Sequence, residues 1–151
     1  MLPLLYALHA LFVLLWIGGV AFVTMIIFPL LARMENSLEQ VLTFQRIENR
    51  FAKLARIYVL LTGLTGFAIL FLTGKKQILF TSRAYHIWLM LLVWVMYALI
   101  LIFERRFLSL FFKDPQKFDV DKVIKRLSNF HWFILFLSLL AVFLGVYGTH
   151  L

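Results

Sequence analysis

The chain reads as an all-α, integral membrane four-helix bundle forming a single domain over residues 1–151. Three observations predict this. The first is composition: 64% of the residues are hydrophobic, 15% are charged, and the mean hydropathy of +0.96 is well beyond that of a soluble domain. The second is a set of four windows free of Asp, Glu, Lys and Arg: Met1–Ala32, Ile57–Gly74, Ala84–Phe103 and Leu127–Leu151. Each reaches the roughly 18–20 residues needed to cross a hydrocarbon layer ~30 Å thick. The third is that these apolar runs are continuous, whereas a membrane β-barrel would alternate apolar and polar residues.

Charge sets the orientation. The net charge of +8 does not mark a nucleic-acid binder, because the basic residues lie in the connections between the apolar windows. The first connection carries Arg33, Arg46, Arg50, Lys53 and Arg56, and the third carries seven more between Arg105 and Arg126. Only Lys75, Lys76 and Arg83 lie in the second. Cytoplasmic loops carry the excess of Lys and Arg. The expectation is an inner-membrane protein with its first and third connections inside and both termini on the periplasmic or extracellular side. The absence of cysteine removes disulfides, thiolate metal sites, iron–sulfur clusters and covalently attached c-type haem.

Taken in order, helix 1 is expected from about Leu4 to Leu31. It lacks a basic leader and a small-residue cleavage site, so it reads as a mature helix and not a signal peptide. Leu5, His9, Phe12, Trp16, Gly19 and Val23 follow the three-and-four spacing of one face. The segment Met34–Arg56 is amphipathic and reads as an inner-surface helix or a cytoplasmic extension of helix 2, suited to anionic headgroups of the lipid bilayer. Helix 2 is expected at about 54–72, with Gly63 and Gly66 on one face near mid-membrane. Helix 3 is expected at about 84–103, and helix 4 at about 127–147 after a short helix between Phe118 and Arg126.

Topology sorts the four histidines by depth. His9 and His86 fall in the outer leaflet on different helices, His150 at the outer surface and His131 near the inner interface. An ionisable side chain inside an apolar segment is a functional-site hypothesis. Two neutral imidazoles from facing helices can hold a haem iron from both sides, and bundle interiors are where such cofactors sit. Gly18, Gly19, Gly63 and Gly66 can supply a slot, with Trp16, Phe12 and Trp88 beside it; small residues also serve plain helix packing. Lys75, Lys76 and Arg83 can supply cations for propionates. Copper is the alternative: Met90 lies one turn from His86, although copper(I) favours Met and Cys ligands and no Met ladder is present.

The stretches LHALFVLLWIGGVAF, Pro29, RFAKLARIYVLLTGLTG and LFTSRAYHIWLMLLV resemble the copper-resistance D family of bacterial membrane proteins. The features shared are an early His, Trp-x-Gly-Gly, a helix-ending Pro, Arg-Phe before helix 2 and a Thr-Gly within it. The pattern is also similar to the four-helix, haem-binding type of bacterial protoporphyrinogen oxidase. A lysine that follows the helix-3 His in those groups is replaced here by Leu89, Met90 and Leu91, and the helix-4 Asn-Glu-x-Pro is absent. The resemblance implies a haem- or copper-related membrane protein, with ligand roles carried onto His9 and His86.

The resulting expectation is a membrane protein that binds haem b through His9 and His86 and serves electron transfer. Its partner would be a quinone or an outer-face redox protein, and a membrane oxidoreductase activity and a homo-oligomer are both open. Copper binding or transport, and a cofactor-free accessory subunit, are the alternatives.

Overall fold

A computed structural model describes residues 1–74, 84–103 and 119–148. All the elements in it are helical. Four helices are long and apolar enough to cross a membrane, as in a multi-pass membrane protein. They are α1 (Leu2–Leu31), α2 (Ser37–Leu72), α3 (Tyr85–Ile102) and α4 (Val120–Gly148).

α1 is not uniform. It is α-helical over Leu2–Phe22, widens into a π-helical turn at Val23–Ile27, and closes as Phe28–Leu31. The cause is Pro29, which has no N–H and whose ring crowds the carbonyl four residues earlier. Across the wide turn the Phe28 N–H reaches back five residues to the Val23 carbonyl. Thr24, fully buried, donates its hydroxyl to the Val20 carbonyl at 2.7 Å.

α2 starts well before its apolar span, as in one of the two readings of the amphipathic segment, a continuation of helix 2. It begins at Ser37 and runs unbroken to Leu72, so the amphipathic segment is the first part of the same helix. Thirty-six residues at 1.5 Å each make a rod about 54 Å long, more than a bilayer's hydrocarbon needs. Asn36 caps it, accepting from the Leu38 and Glu39 N–H groups at 3.0 and 3.2 Å. Gly74, at φ +68°, turns the chain out of the other end in a conformation that favours glycine. α4 likewise begins earlier than expected, at Val120, absorbing the short helix placed before Leu127. α3 matches its charge-free window to within one residue at each end.

The helices run up and down in chain order. α1 packs along α2, α3 along α4, with α2 against α3 and α4 against α1 closing the ring. α1 and α3 face each other across the diagonal and meet edge to face through Trp16 and Tyr97, whose ring centroids are 4.7 Å apart. The central core joins Trp16, Ile17 and Val20 with Val59, Val93, Tyr97, Ile134 and Leu135. A second core lies toward the Leu31 end, where Val23, Ile27, Phe28 and Leu31 meet Phe44 of α2 and Val123, Ile124 and Leu127 of α4. The outward faces are apolar too: Leu14, Phe71, Phe133 and Phe143 are exposed, as lipid-facing side chains would be.

Candidate functional site

His9 sits where α1 crosses α2. Its Nδ1 lies 3.1 Å from the Thr62 carbonyl and 3.0 Å from Thr65 Oγ1. A carbonyl only accepts, so Nδ1 carries the proton, and the Nε2 lone pair is the ring's remaining valence. Thr65 is itself anchored, donating its hydroxyl to the Leu61 carbonyl at 2.7 Å. The ring rests on Gly66: a Cβ there would stand 3.0 Å from His9 Cε1. The glycine at this position is what lets the imidazole approach α2 so closely.

His86 lies in the same half of the bundle but turns to a different neighbour. Its ring rests on Gly148 of α4, where a Cβ would stand 2.9 Å from Nδ1. Its Nδ1 is buried and has no hydrogen-bond partner. Tyr85 packs on the ring edge to face at 5.5 Å. With Trp16 and Tyr97 as a common level, His86 stands about 6 Å nearer the N-terminal end of the bundle than His9, at 1.5 Å per residue. One turn along α3, Met90 packs against Gly145 of α4, so His86 and Met90 share one face.

The remaining expected residues separate. Gly19 and His9 both turn toward α2, but the notch at Gly19 is filled by the Phe51 ring, 2.8 Å from where a Cβ would be. Gly63 receives Trp94 of α3, whose Nε1 donates to the Val59 carbonyl at 2.8 Å. Gly18 faces open space. The expected slot between α1 and α2 is therefore a row of notches, and in each of the three occupied ones a ring stands where a side chain would go. Aromatic and imidazole rings fill such gaps because dense packing and interhelical hydrogen bonds drive helix association inside a membrane. Trp16 is about 10 Å along α1 from His9 and packs on Tyr97, away from it. Lys75, Lys76, Arg83 and His150 lie outside the described residues.

A second site was not foreseen. A cavity of about 50 Å³ lies in the bundle between Trp16 and Leu127, walled by all four helices. His131 is among the residues that line it. Its ring is 4.8 Å from Phe28 and 6.0 Å from Phe130, and its Nδ1 donates to the Leu127 carbonyl at 2.9 Å. The signal was present in the sequence: His131 is four residues from Leu127 and three from Ile134, on the buried face of α4. What the spacing leaves open is the rotation of α4 about its axis, which decides that this face turns inward.

Among the described residues no group of three or more His, Asp or Glu is placed to hold a metal ion. Comparisons with family models, with curated proteins and with solved structures return no match.

Proposed function

We propose that the chain is an inner-membrane protein that binds haem b in the outer half of its bundle, where His9 and His86 would hold the iron, and that it serves electron transfer. The observation that carries this reading is the state of the two imidazoles. His9 donates Nδ1–H to Thr62 and Thr65 and presents Nε2, which is the tautomer of an iron- or zinc-ligating histidine oriented by a carbonyl. His86 keeps a buried ring nitrogen without a partner. A buried polar atom is ordinarily satisfied, and the exceptions call for an explanation such as a ligand. Both rings are cradled on glycines, Gly66 and Gly148, that belong to neighbouring helices.

Haem b, when bound, supplies one-electron chemistry. The chain's own contribution is to fix both rings: Thr62 and Thr65 hold the His9 plane, Gly66 and Gly148 let the rings approach, and the apolar walls keep water away. The positive-inside rule supports both termini on the periplasmic or extracellular side. A quinone or an outer-face redox protein is the proposed electron partner.

An absorption spectrum of the purified protein, oxidised and then reduced with dithionite, tests the reading. Resolved α and β bands on reduction are expected, and His9→Ala and His86→Ala should each abolish them. A colourless protein from haem-replete cells sinks the proposal. Copper is the second reading, favoured by His86 and Met90 sharing the α4-facing side of α3; metal analysis of the colourless protein decides it.

A further inference from the structure

The inner cavity carries an inference independent of haem. Its polar groups come from separate helices. Trp16 of α1 is 3% exposed, and its indole Nε1 is buried without a hydrogen-bond partner. His131 of α4 has its Nδ1–H committed to Leu127, so the lone pair of its neutral ring is at Nε2. The other titratable side chains lining the cavity are Glu48 of α2 and Tyr97 of α3; α1 contributes none. The Tyr97 hydroxyl is hydrogen-bonded to that of Ser138 at 3.2 Å.

A side chain with an unpartnered donor, Trp16, and one whose ring keeps a lone pair, His131, line one space. The space is about 50 Å³, and a water needs on the order of 10–15 Å³, so about three fit. Phe44, Phe51 and Phe130 make the rest of the wall apolar, which confines such waters to the polar groups. The space is too small for a flat organic ligand, since a cavity holding benzene is about 150 Å³.

We propose that this cavity is a hydrated proton site, in which a few waters link the Trp16 indole N–H to His131 and deliver protons to its ring. A proton arriving through the waters adds to the Nε2 lone pair. Nδ1–H stays on the Leu127 carbonyl, and the ring becomes an imidazolium. Glu48 stands on the charged part of α2, between Arg46 and Arg50 in sequence, so protons enter from that end. The site lies in the opposite half of the bundle from His9 and His86 and does not depend on what they bind.

The test uses the full chain in lipid nanodiscs, labelled with ¹⁵N at tryptophan and histidine. Trp94 is the internal control, because its indole N–H is held by the Val59 carbonyl. Trp16→Phe and Trp94→Phe assign the two signals. The Trp16 indole N–H is expected to show a cross-peak to water and to exchange at least about tenfold faster than that of Trp94, as an N–H bonded to water would. The His131 ring, assigned with His131→Phe, is expected to pass reversibly from the Nδ1–H tautomer to the imidazolium across roughly pH 4 to 9. A Trp16 N–H as slow as that of Trp94 overturns the proposal by showing the cavity dry. A His131 ring that takes up no proton in that range overturns it as well. Neither result depends on haem, so this failure is distinct from that of the haem reading.

Discussion

At the residue scale, the glycines of this bundle are defined by what occupies the space beside them. Gly63 is the tightest of the glycines packed against a ring, with the Trp94 indole where a methyl group would be, as close as 2.6 Å. The indole is also fixed by its bond to Val59, so it cannot swing away without losing that bond. Gly63→Ala is therefore expected to destabilise the bundle by about 1–3 kcal/mol, the usual range for overpacking. Reversible unfolding in mixed micelles measures it. Trp94→Phe removes the hydrogen bond while keeping most of the ring, and should lose about 0.6–1.7 kcal/mol, the range of interhelical hydrogen bonds in membranes. Gly18 is the contrast: a Cβ meets nothing there, so Gly18→Ala should be neutral or slightly stabilising in the same assay.

At the element scale, the ends of the helices carry the specific chemistry. Asn36 satisfies two N–H groups at the start of α2. Asn36→Ala should weaken that end by about 1 kcal/mol, seen as faster amide exchange at Leu38 and Glu39 with α2 beyond Phe44 unchanged. Asp119 plays the matching part before α4, accepting from the Lys122 N–H at 3.2 Å and pairing with its ammonium at 2.9 Å. The hydrogen bond from the Lys122 side chain, helped by the backbone one, holds the Asp119 carboxyl below the usual carboxylate range. A folded-state value that is depressed gives stability that is full above the ordinary carboxylate value and is lost as pH falls through the lowered one. Fraying of the first turn of α4 on acidification is expected, read as amide exchange at Lys122, and absent in Asp119→Asn. The pair is exposed, so the effect is local to that turn.

At the scale of the whole molecule, the distribution of charge predicts orientation. The chain has no cysteine, so single substitutions can be labelled without background. Lys76→Cys should react with a membrane-impermeant maleimide on intact cells, and Glu35→Cys only after lysis. The reverse pattern would invert the proposed topology. The architecture also makes the two ends of the bundle unequal. Among the described residues the second core is built from α1, α2 and α4, because α3 ends at Ile102 while the other three helices continue. Gln40 is buried there, 1% exposed, and donates to the Leu31 carbonyl at 3.0 Å where α1 ends.

The four spans were legible in the sequence because a membrane helix must satisfy its backbone internally and offer lipid a continuous apolar surface. Both demands are written in composition. The start of α2 was not legible, since an amphipathic segment beside a span reads equally well as a separate surface helix; its packing on Leu31 and α4 joins it to the rod. His9 and His86 could be placed by depth, because depth follows from counting residues. Their neighbours could not, because the rotation of a helix is set by which side chains interlock. That rotation put His9 on Gly66, His86 on Gly148 and Trp94 on Gly63, and it made His131 part of a cavity wall. The sequence by itself determined that there are four spans, where along the chain they lie and which connections gather the charges. Only the tertiary structure decided which rings fill which glycine notches, and therefore which imidazole nitrogens are left without a partner.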